Sequence, residues 1–188
     1  MPFYIKNHKA ALRRVLALLA ALSILSGLSS CGQYSLTLND QSIYQPTPLF
    51  NDYQISDLHL RNCVDQTISD NGITAAAQLQ RLVCTSAGIK DLAGLEKFSL
   101  LVELNLNDNA LHKLTGLERL SKLTSLSLKN NQLTRANELL LLSNLNYLDI
   151  TENPQLDCND VQQLSQNQAQ QKPTHKKKIE LYLPERCR

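Results

Sequence analysis

Apolar residues recur along this chain with a period of 22. Leu79, Leu101, Leu123 and Leu145 open the series. Three residues on come Leu82, Leu104, Leu126 and Leu148, and two further on Cys84, Leu106, Leu128 and Ile150. Ala87, Asn109, Asn131 and Asn153 follow in the same register. The second half of each unit holds Ile89, Leu111 and Leu133, then Leu95, Leu117 and Leu139, then Phe98, Leu120 and Leu142. Around the middle leucines the apolar positions alternate with polar ones. That predicts a short strand with its leucines turned inward. The asparagine turns the chain out of the strand, and its side chain can satisfy backbone groups of the neighbouring unit. One unit cannot bury its own apolar side, so the units must stack.

The pattern L-x-x-L-x-L-x-x-N-x-L resembles the leucine-rich repeat. The resemblance implies an α/β solenoid: a short right-handed coil with parallel strands, about four repeats over residues 79–156. Both ends depart from the pattern, as capping requires. Residues 52–78 are expected to form an N-terminal helical cap. Asp57 is its N-cap, Leu60, Cys63, Val64 and Thr67 share a face, and Asn71-Gly72 stops it. Residues 157–188 are expected to form a C-terminal cap. It would hold a polar helix from Asp160 to Gln171 with Val161 and Leu164 on one side, a basic turn from Lys172 to Lys178, and a strand over Ile179–Leu183. The stretch from Ile55 to Val64 resembles the N-terminal cap of bacterial proteins with 22-residue repeats, the internalins among them. That resemblance spans residues 55–158 and implies a binding scaffold that serves very different partners.

The first thirty residues differ in kind. Lys6, Lys9, Arg13 and Arg14 precede an apolar run from Val15 to Leu28, which reads as a signal peptide over residues 1–30. Fourteen residues rise only about 21 Å as a helix, short of the ~30 Å hydrocarbon core; an uncleaved anchor is the competing reading. Leu28-Ser29-Ser30-Cys31 resembles the bacterial lipobox. The resemblance implies cleavage before Cys31 and acylation of Cys31, hence a lipid anchor in the cell envelope. With Gly32 following, it implies the outer membrane if the source is Gram-negative. Two or more acyl chains anchor stably where one holds only marginally. Residues 31–51 would then be a tether, polar and interrupted by Pro46 and Pro48; a short strand over Tyr34–Leu38 is the other reading of this stretch.

Four cysteines remain in an exported, oxidising setting: Cys63, Cys84, Cys158 and Cys187. Three pairings are open. Sequence position favours Cys63–Cys84 and Cys158–Cys187, one at each end of the array. Each loop of roughly 20–30 residues would stabilise by ~3–4 kcal/mol in the chain-entropy view. Four buried free thiols are the alternative.

Charge removes one class of partner. Of 19 basic and 17 acidic residues, four basic and no acidic ones precede residue 31, so 15 and 17 remain and the net charge beyond the signal is −2. A nucleic-acid footprint needs a clustered basic excess, so nucleic acid is not expected. The chain carries no nucleophile-elbow, zinc-protease or phosphate-loop motif. His59, His112 and His175 stand in unrelated contexts. Neither catalysis, nor a cofactor, nor a metal is expected; the acidic column Asp108, Asn130 and Glu152 reads as solvated turn residues.

Function is expected on the concave face instead. Residues flanking the strand leucines point outward in three columns: Arg81, Glu103, Ser125 and Tyr147; Val83, Asn105, Ser127 and Asp149; Thr85, Asn107, Lys129 and Thr151. Arg81, Glu103, Asn105, Asn107, Ser127, Lys129, Tyr147 and Asp149 are the candidate ligand residues. The partner expected is an envelope protein or glycan, alongside the membrane held through Cys31. The rival reading is a structural envelope lipoprotein with no discrete ligand.

Overall fold

The computed structural model describes residues 36–44, 47–170 and 179–187. The leader, Cys31 and the basic stretch Lys172–Lys178 with His175 lie outside them. The chain divides into two compact units, Met1–Thr47 and Pro48–Arg188.

In the first unit, β1 (Leu36–Leu38) pairs antiparallel with β2 (Gln41–Tyr44). Asn39 and Asp40 close the hairpin with φ of 51° and 60°. Both residue types tolerate the left-handed region that a two-residue hairpin turn requires. The short strand expected over Tyr34–Leu38 is present at Leu36–Leu38, and its pairing with β2 makes a hairpin where the other reading had an irregular tether.

In the second unit, β3 (Arg81–Val83), β4 (Glu103–Asn105), β5 (Ser125–Ser127), β6 (Tyr147–Asp149) and β7 (Glu180–Tyr182) form one parallel sheet in sequence order. The register of β3 to β6 advances by the 22-residue period: Leu82 pairs with Leu104, Leu104 with Leu126, Leu126 with Leu148. β3, β4 and β5 are each followed by a return segment containing a 3₁₀ turn, at Leu95–Lys97, Leu117–Arg119 and Asn137–Leu141. The chain is thus a solenoid of leucine-rich coils around one continuous core. All the inward leucines named from the period are buried. So is a further column at the same spacing, Leu92, Leu114 and Ala136, which the repeat reading had passed over.

The asparagines hold adjacent coils together. Asn109 Oδ1 accepts from Ala87 N (3.2 Å) and Ile89 N (3.0 Å) of the preceding coil, while its Nδ2 donates to Cys84 O (2.8 Å) and Leu106 O (2.9 Å). Asn131 repeats this with Leu111 N, Leu106 O and Leu128 O, and Asn153 with Leu133 N, Leu128 O and Ile150 O. All three are buried. One residue before each of them sits a position with positive φ: Asp108 (58°), Asn130 (52°) and Glu152 (56°), with Ser86 (53°) in the first coil. The acidic column is therefore the turn column, and its conformation accounts for Asp and Asn there.

At the N-terminal end, α1 (Leu58–Asp70) covers the first coil with Leu60, Val64 and Ile68. The buried stripe is not quite the expected one, because Cys63 and Thr67 flank it half-buried. Cys63 joins Cys84, which ties α1 to the end of β3. Phe50 also belongs to this end and not to a free tether: its N–H donates to Ile73 O (2.8 Å), and its ring packs on Tyr53 (5.7 Å) and the buried Phe98 (6.0 Å). The strap bearing these rings crosses the first coil at Gly94. Gly94 has a φ of 96°, and a Cβ there would overlap the Gln54 carbonyl.

Asp57 does more than cap α1. Its Oδ1 accepts from His59 N (2.9 Å) and Leu60 N (3.0 Å), and its Oδ2 accepts from Lys90 N (2.8 Å) and Asp91 N (3.3 Å) in the first coil. Partial burial opposes the charge, but the N–H groups of Leu60, Lys90, Asp91 and His59 prevail and hold the carboxyl below its ordinary value.

At the other end, α2 (Cys158–Gln170) packs Val161 and Leu164 against the last coil. Its buried Asp160 accepts from Arg135 Nε (2.9 Å), Arg135 Nη2 (3.2 Å) and Ala136 N (2.9 Å). Cys158 joins Cys187. The strand expected over Ile179–Leu183 is β7, and it extends the sheet: Tyr147 pairs with Glu180, Leu148 with Leu181, Asp149 with Tyr182.

Two predictions follow from these contacts. Asn131→Ala strands the buried Leu111 N–H and takes one of two side-chain donors from each of the Leu106 and Leu128 carbonyls, so urea unfolding should show a loss of about 1–3 kcal/mol, the cost of one group left unsatisfied. Asp57→Asn removes the acceptor for Lys90 and Asp91 and should cost about 1–3 kcal/mol at neutral pH. The folded-state value of Asp57 is depressed, so its contribution is complete above the unfolded value of about 3.9 and fades as pH falls through the folded value. The gap between the urea midpoints of wild type and Asp57→Asn should hold down to about pH 5 and narrow as pH falls below about 4; a constant gap would refute the charge-dependent role.

Candidate functional site

The strand period fixes which side chains face outward on the concave sheet, and the registered pairing stacks them into columns. In the first column Arg81 pairs with Glu103 (Nε to Oε2, 3.1 Å), both well exposed. An exposed pair of this kind contributes little stability, but it neutralises that end of the face. In the third column Lys129 Nζ meets Glu152 Oε1 at 3.0 Å. This contact is the first cause of a raised lysine value, ahead of the fields of Asp149 and Asp108.

The middle of the face is knitted to itself. Ser127 Oγ donates to Asn107 Oδ1 (2.7 Å), which also accepts from Lys129 N (2.9 Å). Asn105 Oδ1 accepts from Asn107 N (3.0 Å). Ser127 is only 7% exposed, so this candidate is structural: its hydroxyl is committed and covered. Asn107 likewise spends its carbonyl oxygen on the next coil. Asn105 and Lys129 keep part of their surface, and Arg81 and Glu103 most of theirs.

At the C-terminal end the face changes character. The Tyr147 ring lies 5.5 Å from that of Tyr182, tilted by 44°. Asp149 takes Thr151 N (3.0 Å) and Thr151 Oγ1 (2.6 Å) on its Oδ1. Glu180 and Tyr182 join the first and second columns through the parallel pairing of β7 with β6. Both were missed from sequence. The alternation Ile179–Leu183 did place them on one face of a strand, but nothing local told which neighbour that strand would pair with, or in which direction. Tyr147 has its phenol pushed up, first by burial, then by the carboxylate of Asp149, with Glu180 adding to it.

Other sites are plain. His59 is exposed on α1 beside Gly88, and His112 is exposed on the return segment of the second coil. Among the described residues no three His, Cys, Asp or Glu side chains gather as a metal site, and no helix is long and apolar enough to cross a membrane. A groove lined by Thr67, Asn71, Gln78, Gln80, Arg81 and Val83 runs between α1 and the outer edge of β3.

Among solved structures the chain is similar to an internalin, InlF, of Listeria monocytogenes, with 26% identity and a TM-score of 0.47 over 51% of this chain and 30% of that one. It is similar to internalin C2 of the same organism, with 27% identity and a TM-score of 0.46 over 52% of this chain and 46% of that one. A Clostridium perfringens ZmpB structure, of CBM51-2 in complex with GlcNAc and INT domains, matches at 20% identity and a TM-score of 0.35 over 57% and 20% of the two chains. The chain spans less than half the length of each of these structures. No protein-family model matches the chain, and no curated protein does either.

Proposed function

We propose that this chain is a non-catalytic binding module of the bacterial cell envelope, held by lipid at Cys31 and presenting the concave face of its leucine-rich coil to a protein or glycan. The observation that carries the reading is the face itself. It is a five-stranded sheet whose Arg81, Glu103, Asn105, Tyr147, Asp149, Glu180 and Tyr182 side chains belong neither to the asparagine ladder nor to the core. A rigid scaffold that holds exposed polar and aromatic groups at fixed spacing is what recognition needs, because little conformational entropy remains to be lost on binding.

The coil is read as right-handed, with α1 and α2 as its caps. Leu60, Val64 and Ile68 at one end and Val161 and Leu164 at the other support that reading, since they cover the apolar faces that stacking leaves open. The anchor rests on the sequence motif at Leu28–Cys31, and the outer membrane is its expected seat in a Gram-negative source. The rival, a structural lipoprotein without a ligand, draws its support from Arg81–Glu103 and Lys129–Glu152, which satisfy each other and leave those positions with no call on a partner.

Intact mass of the protein purified from membranes should show a chain beginning at Cys31 and carrying acyl mass; a chain beginning at Met1 overturns the anchor. In-cell photo-crosslinking from Asn105 should give a discrete adduct that a probe at the exposed convex residue Lys113 does not. Nothing above that control, at Asn105 and again at Asp149, gives the field to the structural reading.

A further inference from the structure

The β6–β7 pairing sets four side chains at the corners of a small patch. Tyr147 lies opposite Glu180, and Asp149 opposite Tyr182. With strands about 4.8 Å apart and alternate residues ~6.6 Å along each strand, the tyrosines occupy one diagonal and the carboxylates the other. The rings touch, at 5.5 Å between centroids. Tyr182 is 44% exposed.

Here two carboxylates stand without an ion pair among the described residues, and Lys129, already bound to Glu152, adds only its field to Asp149. Elsewhere on the face the acids are paired, Glu103 with Arg81 and Glu152 with Lys129. Among the described residues no basic side chain pairs with Asp149 or Glu180. Asp149 spends one oxygen on Thr151 and has no donor for the other among the described residues. The phenol of Tyr147 is raised first by burial, and the carboxylates of Asp149 and Glu180 add to it.

Aromatic faces flanked by carboxylates suit one kind of group best. An apolar or neutral surface docking here would desolvate two carboxylates with nothing to neutralise them. An anionic one would be repelled. A guanidinium or ammonium is drawn to the ring quadrupole and to both carboxylates at once, and a guanidinium can also stack flat on a tyrosine. We propose that the Tyr147–Tyr182 patch receives a basic segment of a protein partner, one arginine or lysine lying against the rings between Asp149 and Glu180. This rests on the concave-face reading above and names the chemistry of its ligand. The patch is continuous with the rest of the sheet, so flanking residues of the segment would run on across Asn105 and Glu103.

The test uses the full chain and a fluorescent octapeptide of alternating arginine and serine, read by polarisation. Saturable binding that weakens with salt is expected, with none to the same peptide carrying glutamate for arginine. Asp149→Asn/Glu180→Gln keeps the shape and the Thr151 acceptor but removes both charges, and Tyr182→Ala removes a ring. Each should weaken binding by about tenfold or more. Asp70→Asn/Glu138→Gln removes two charges elsewhere and should leave affinity within about twofold. Equal effects of the two double variants, or no saturable binding, would overturn the proposal. So would a chitin oligosaccharide binding in a manner that depends on Tyr182. The Asn105 crosslink separates the two levels. An adduct that survives Asp149→Asn/Glu180→Gln keeps a binding face but overturns a basic partner, while no adduct in wild type removes the binding reading itself.

Discussion

The structure depends on a buried amide that belongs to two coils at once. Each ladder asparagine takes an N–H from the coil before it and gives its own hydrogens to carbonyls of both coils. A side chain so placed satisfies backbone groups that a tight turn leaves without partners, in a core where an unmet polar group is costly. It also fixes the length of the repeat. The same donor and acceptor must arrive at the same height in every turn, which is why the leucines recur at 22 with no insertion from Leu79 to Leu148. The first coil has Ala87 where an asparagine would stand, and among the described residues no coil precedes it for such a side chain to serve. Its exposed N–H groups at Lys90 and Asp91 go instead to Asp57, a carboxylate delivered by α1.

What could be read in the sequence follows from that regularity. The strands, their parallel register, the inward leucines and the asparagine ladder all express one period, so each repeat supports the reading of the others. The terminal pieces have no such redundancy. Asp57 was legible as a cap because capping is local, but its reach to Lys90 spans 33 residues. The Arg135–Asp160 pair spans 25 residues, outside any local pattern. Gly94 is required by a strap that only the folded chain brings across it. The Asn39-Asp40 turn was a local signal, a pair of residues at ease with positive φ, and was overlooked between two short and weakly alternating stretches.

The ends also share a device. A solenoid leaves an apolar face open at each terminus, and at each end of this one stands a helix fastened by a disulfide, Cys63–Cys84 at one end and Cys158–Cys187 at the other. Helices of this length are marginal in isolation. Each therefore draws its stability from the coil it covers, and the covalent link keeps a detached helix close to its seat. The two ends differ in one respect that bears on function. α1 stands beside the edge of β3, whereas the C-terminal end continues the sheet through β7.

That continuation is what gives the concave face a direction. Over β3 to β5 several of the outward polar side chains are engaged with one another, in an ion pair between Arg81 and Glu103 and in a hydrogen bond between Ser127 and Asn107. Such contacts keep the surface soluble and leave little for a ligand to satisfy. Adding β7 beside β6 brings two tyrosines together and sets two carboxylates next to them. A tyrosine pair on adjacent strands supports the sheet by itself, and the carboxylates beside it keep that surface soluble. Under the basic-partner proposal the same combination also receives a ligand, and it lies on the strand that the 22-residue period did not reveal.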